Sequence, residues 1–225
     1  MDKKTKIWLS ALVVGTLALI TLAYVYRKEI SRKLSEFKKN LLNYANFEYS
    51  LWNTNGKAKE GDSYTMERLR NYWVNGGGVK GWDDDRMTRE FWSAAFISYL
   101  MKKGGAGSDF KYSTNHSDYI RDSIKNRLEK NNNPFKGYKP EEKIVEEGDL
   151  VCYARQSGVG YETTNSYASH CDLVTNVKKD EGKAVSIGGN VSDSVSKTIV
   201  PLDSDGKIDL SRGEKEYFVI IKNLK

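Results

Sequence analysis

The sequence predicts an α+β fold, with helices gathered in the first half of the chain and a mostly antiparallel sheet in the second. Up to about residue 130, apolar residues recur at helical spacing. From residue 149 onward the chain breaks into short β-branched and aromatic runs separated by polar or glycine turns. Helices first and a strand meander second is the order of an α+β domain, not of alternating βαβ units.

The N-terminal 56 residues read as an appendage. Residues 1–6 are short and basic. Residues 7–26 form an uncharged run, IWLSALVVGTLALITLAYVY, with Trp8 at one end and Tyr24 and Tyr26 at the other. At about 1.5 Å per residue the run spans the roughly 30 Å of bilayer hydrocarbon, and the rings suit its two interfaces. The rival is a cleavable signal peptide, whose apolar core is shorter and ends in a small-residue site that Thr21-Leu22-Ala23 fits poorly. An uncleaved single-pass anchor in the lipid bilayer is the expectation. Residues 27–56 then read as a basic juxtamembrane amphipathic helix and linker, with Ile30, Leu34, Phe37, Leu41 and Leu42 at helical spacing.

Charge follows the same division. Residues 1–46 hold nine Lys/Arg and three acids, whereas the remaining 179 carry 27 of each. The net charge of +6 therefore belongs to those 46 residues, and a nucleic-acid partner is not expected. Six bases follow the apolar run within Arg27–Lys39 against three before it. That bias points the C-terminal part toward the cytoplasm, opposite to the periplasmic side that the function reached below requires.

Residues 57–225 read as the domain. Asp62-Ser63 starts a helix expected to reach about Val74. Thr88 is read as the N-cap of the next, which carries Trp92, Ala95, Phe96, Tyr99 and Leu100 on one stripe and stops at Gly104-Gly105. A third helix is expected over about Ser117–Lys130. Strands are expected at Asp149–Arg155, Ala168–Val177, Lys183–Ile187, Ser194–Val200 and Glu216–Ile221. Asp83-Asp84-Asp85 reads as an acidic lead-in matched to a helix dipole rather than as a calcium site.

Chemistry-bearing residues are few. Of the two histidines, His170 lies in Ser169-His170-Cys171-Asp172-Leu173-Val174. Strand alternation puts His170, Asp172 and Val174 on one face and Ser169, Cys171 and Leu173 on the other, the core side. An imidazole on the less apolar face is available for proton transfer. Ser93 sits about one turn into the Thr88 helix, where the dipole favours developing negative charge. Asn190 ends Ile187-Gly188-Gly189-Asn190, where its amide oxygen is a candidate to fix an imidazole tautomer. His116 is a candidate to line the same cleft. Cys152 and Cys171 both fall on core faces. If their strands are neighbours they lie within disulfide reach, which would indicate an oxidising compartment; two separate thiols are the alternative.

Four segments also resemble a known family. Trp92-Ser93-Ala94-Ala95-Phe96 resembles the Trp-Cys-Ala-Ala-Phe helix start of the CHAP class (cysteine, histidine-dependent amidohydrolases/peptidases). Gly148-Asp149-Leu150-Val151 resembles the Gly-Asp-hydrophobic strand of that class and of the related NlpC-type hydrolases. Ser169 to Val174 is similar to its Gly-His-Val-Gly-Ile-Val strand, and Ile187 to Asn190 to its Ile-Gly-Gly-Asn segment.

The resemblance implies a papain-like fold that cuts peptide or amide bonds in peptidoglycan without a cofactor or metal. It implies Ser93 as nucleophile, His170 as general base and Asn190 as orienter, with Asp172 in reserve. Trp92, Asp172 and His116 are the expected substrate contacts. Ser93 departs from the pattern by replacing cysteine. The alternative reading is therefore a catalytically silent domain that tethers an envelope or virion assembly to wall material; a fortuitous likeness in a membrane-associated structural protein is the third.

Overall fold

The computed structural model describes residues 36–54 and 56–225, and one compact unit runs Phe37–Lys225. The expected span over residues 7–26 lies outside the described residues. Among those described, no helix is long and apolar enough to cross a membrane.

Among the described residues, five α-helices precede the first strand: α1 (residues 36–53), α2 (Ser63–Asn71), α3 (Asp84–Arg89), α4 (Ser93–Gly104) and α5 (His116–Leu128). Six strands follow: β1 (Phe135–Tyr138), β2 (Leu150–Ala154), β3 (Ser169–Lys178), β4 (Lys183–Gly188), β5 (Ser196–Pro201) and β6 (Tyr217–Asn223). They form one sheet in the order β1-β6-β2-β3-β4-β5, every pairing antiparallel. The α+β expectation and its order of elements therefore hold.

Three local differences have physical reasons. The segment read as a linker is part of the domain: Phe37, Leu41, Ala45 and Trp52 of α1 are buried in the main core. Its apolar stripe faces protein, and Gly104 of α4 lets Leu41 and Phe37 approach closely. Thr88 does not cap the Ser93 helix. It lies in α3, where its hydroxyl donates back to Asp85 O at 3.0 Å. Glu90 is extended (φ −95°, ψ 153°), and α4 starts afresh at Ser93. Strand β1 was not expected, because Phe-Lys-Gly-Tyr is short and glycine-broken; its pairing with β6 supplies the order that the local sequence lacks.

Helix α4 is the pivot of the core. Ala94 to Met101 are buried, and the helix packs on the sheet face carrying Cys171, Leu173, Ile187 and Val219. The opposite face is buried too. Val151, Tyr153, Val174 and Ile220 pack there with Val145, Leu202 and Ile208 from loops. That explains why β2 and β6 read as nearly continuous apolar runs rather than as alternating ones. It also corrects the expectation for β3: the His170–Asp172–Val174 face is enclosed rather than open to solvent.

Trp92 ends the approach to α4 and is fully buried. Its ring stacks on Trp52 at 5.2 Å and on Tyr72 at 5.6 Å, and its indole N–H donates to Glu60. Burying such a ring contributes on the order of 3 kcal/mol. Trp92 is thus a core residue and not a substrate contact, which corrects the sequence expectation and agrees with its place on the α4 apolar stripe.

Candidate active site

Two helix N-termini and one strand build the site. Ser93 is the first residue of α4, so the amides of that turn have no acceptor within the helix. His116 is the first residue of α5, which Asn115 caps by accepting from Ser117 N at 3.1 Å. The helix starts bring Ser93 Oγ and His116 Nε2 to 2.7 Å. One turn along α5, the hydroxyl of Tyr119 bonds the other ring nitrogen, Nδ1.

His170 stands beside them. Its ring centroid is 5.0 Å from that of His116. Its Nε2 lies 2.8 Å from Asp172 Oδ1. Asp172 is fully buried. Burial pushes its carboxyl up, but the His170 charge and hydrogen bond, Lys215 and Thr198 outweigh this and hold it well below the usual range. As an ionised acceptor it holds a proton on His170 Nε2, which leaves the lone pair of the uncharged ring on Nδ1. The Nδ1 lone pair then faces Arg155, whose guanidinium lies 3.4 Å away. Asp172 Oδ2 accepts from Thr198 Oγ1 at 2.9 Å and from Lys215 Nζ at 3.3 Å.

The paired glycines serve this carboxylate. A Cβ on Gly188 would fall 1.9 Å from Asp172 Oδ1, and one on Gly189 would meet Phe96 and Trp92 at 2.6 to 2.7 Å. The strand can pass between the buried acid and the α4 core only without side chains. Asn190 follows in a left-handed conformation, φ 55°, and lines the cleft. It makes no hydrogen bond to His170, whose two nitrogens face Asp172 and Arg155. The orienter of His170 is therefore Asp172, and the expectation for Asn190 is corrected.

His116 is fully enclosed. Burial lowers its pKa well below the ordinary imidazole value, and the neighbouring His170 lowers it further. It is neutral at pH 7, as a buried base between two positive helix ends should be. Ser93, His116, His170 and Asn190 share one cleft of about 1000 Å³. Tyr167 lines it too, and its hydroxyl is buried with no protein partner among the described residues; burial pushes that phenol up to about 12. Phe91 stands 84% exposed at the rim.

Cys152 and Cys171 are directly opposed across β2 and β3 and joined by a disulfide. The bridge closes a ring that contains the cleft-lining loop between the two strands. Among the described residues, no group of three or more His, Cys, Asp or Glu could hold a metal ion.

A bacterial family described as "Uncharacterized protein conserved in bacteria" (DUF2272) matches residues 51–219. The chain belongs to this family. No curated protein and no solved structure matches the chain. The match begins within α1 and runs into β6, so it contains every residue of the site, Ser93, His116, Tyr119, His170 and Asp172 among them.

Sequence reasoning singled out Ser93, His116, His170 and Asp172, but it missed the Ser93–His116 contact and Tyr119. The available signal was Tyr119 three residues after His116, on one helix face. What was not legible is that α5 starts against the start of α4.

Proposed function

We propose that the domain is an amide or peptide hydrolase acting on peptidoglycan at the bacterial envelope, with Ser93 as nucleophile, His170 as general base and Asp172 as its orienter. The observation that carries the reading is the convergence, on one cleft, of a helix-start serine hydroxyl and an imidazole held by a buried carboxylate. That arrangement suits acyl transfer. The CHAP-like motifs and the helix-on-antiparallel-sheet order support a papain-like arrangement. The disulfide supports an oxidising, extracytoplasmic location, and the apolar run at residues 7–26 supports a membrane anchor.

In the proposed reaction, the Arg155 guanidinium, 3.4 Å from His170 Nδ1, moves off that nitrogen, and Ser93 Oγ attacks the substrate carbonyl carbon while its proton passes to Nδ1. The carbonyl π pair moves onto oxygen, next to the free amides of the α4 first turn. Collapse breaks the C–N bond; His170 Nδ1–H protonates the leaving nitrogen, and an ester on Ser93 remains. Water, deprotonated by His170, then hydrolyses that ester and Ser93 leaves with its proton restored.

Digestion of purified sacculi and muropeptides by the wild-type chain, Ser93→Ala and His170→Ala tests this. New amine ends with wild type only are expected, with loss of at least about 10³-fold in each variant. Wall binding without turnover in wild type would instead support the tethering reading, which rests on serine standing where the resemblance implies cysteine.

A further inference from the structure

The site contains a second imidazole that the proposed reaction does not use. We infer that His116 is a fixed hydrogen-bond donor to the nucleophile: Tyr119 donates to Nδ1 of His116, and His116 in turn donates from Nε2 to Ser93 Oγ. This deepens the hydrolase reading and rests on it.

The inference follows from proton bookkeeping. Tyr119 is buried, 1% exposed, and its phenol is held well above its ordinary pKa, first by burial and then by Asp172 and Asp118. It is therefore a neutral hydroxyl with one proton to place. Its only hydrogen-bond partner among the described residues is His116 Nδ1. Were Nδ1 protonated, Tyr119 oxygen would accept and its own proton would be left buried without an acceptor. A doubly protonated ring would fail in the same way, and burial, His170 and Arg155 all oppose its charge; only Asp172 favours it. The remaining state has a lone pair on Nδ1 and a proton on Nε2. With the contact at 2.7 Å, that proton points at Ser93 Oγ.

The serine hydroxyl proton is then not shared with His116 and is free to turn into the cleft, where the proposed reaction passes it to His170 Nδ1 once Arg155 has moved off that lone pair. The two imidazoles divide the work. His170 takes and returns the proton. His116 keeps its own proton throughout, steadies Oγ and stabilises the negative charge that develops on it as Oγ–H breaks and again as the ester is cleaved. No net proton is gained or lost by His116. It is a catalytic residue in this scheme because it touches the reacting oxygen; Tyr119 is a positioning residue, since it sets the His116 tautomer.

The chain has two histidines, which makes the test direct. The full-length protein, uniformly labelled with 15N at histidine and held in mild detergent at pH 7, is examined by long-range 1H–15N NMR. The His116→Gln variant assigns the signals. The expected result is that His116 is neutral with its proton on Nε2, and that in Tyr119→Phe the His116 nitrogens shift while those of His170 stay. A wild-type His116 carrying its proton on Nδ1, or on both nitrogens, overturns the inference. A His116 unmoved by Tyr119→Phe overturns it as well. Muropeptide turnover, measured in parallel, should fall on the order of 10²-fold in His116→Ala, the loss typical of one donor to a developing oxyanion. Equal turnover in wild type and His116→Ala removes the catalytic role. If wild type turns over nothing while the tautomer is as expected, the hydrolase reading fails and the donor chain stands.

Discussion

Asp172 and His170 lie two residues apart on β3 and meet along one strand face, Oδ1 to Nε2 at 2.8 Å. Strand alternation makes such a pair neighbours. Burial turns the contact into a restraint, because the acid has no water to turn to and its second oxygen is held by Thr198 and Lys215.

Removing the charge at this position should therefore leave the shape and damage the function. Asp172→Asn is expected to lower turnover on the order of 10³- to 10⁴-fold, through the wrong His170 tautomer, with the fold retained. Asp172→Ala strands Lys215 and should also cost about 3–5 kcal/mol of stability. Turnover with unfolding curves on the same samples checks both; Asp172→Asn with full activity would remove Asp172 as orienter.

Gly188 is placed by the same acid. Gly188→Ala drives a methyl group into the Asp172 carboxylate, 1.9 Å from its oxygen. It should cost about 1–3 kcal/mol in overpacking and lower turnover as Asp172→Asn does. A Gly188→Ala protein of wild-type stability and activity would show that the carboxylate does not need this space.

The disulfide restrains the cleft from the side. Cys152 and Cys171 are 19 residues apart in sequence, and closing a loop of that size stabilises by about 3 kcal/mol, largely through the unfolded chain. Paired Cys152→Ser and Cys171→Ser substitutions should lower the denaturant midpoint accordingly, and thiol reductant should do the same to wild type. An unchanged midpoint would contradict the bridge.

Stability should also carry a pH signature from the far end of β2. Asp149 meets Lys222 Nζ at 2.6 Å, yet burial pushes its carboxyl up to about 6. The folded value lies above the unfolded one, so ionisation costs stability above pH 6, and that cost is relieved as pH falls toward about 4. Between pH 7.5 and pH 5, wild type should gain about 1 kcal/mol relative to Asp149→Asn. Parallel pH profiles for the two proteins would refute the assignment.

Much of the fold was legible because α4 and α5 carry a helical period, β2 to β6 are compact β-branched or aromatic runs, and glycine, asparagine or proline punctuates the chain between them. Within the site, His170 with Asp172 was legible from i, i+2 spacing alone. Three things were not. Trp92 is adjacent to Ser93 in sequence, but a helix turns neighbours about 100° apart, so one enters the core and the other the cleft. Asn190 has the chemistry of an orienter, but Asp172 had already filled the position through a glycine gap visible only in three dimensions. The Ser93–His116 contact spans 23 residues and depends on how two helix starts abut, which no local pattern encodes.

The most direct measurement is adduct mapping with a fluorophosphonate, which forms an O–P bond to an activated serine and loses fluoride. The account predicts one adduct per chain, found on Ser93 by peptide mass spectrometry. It should be absent from Ser93→Ala and slowed on the order of 10³-fold or more in His170→Ala. Labelling at another residue, or equal labelling of wild type and His170→Ala, would contradict it.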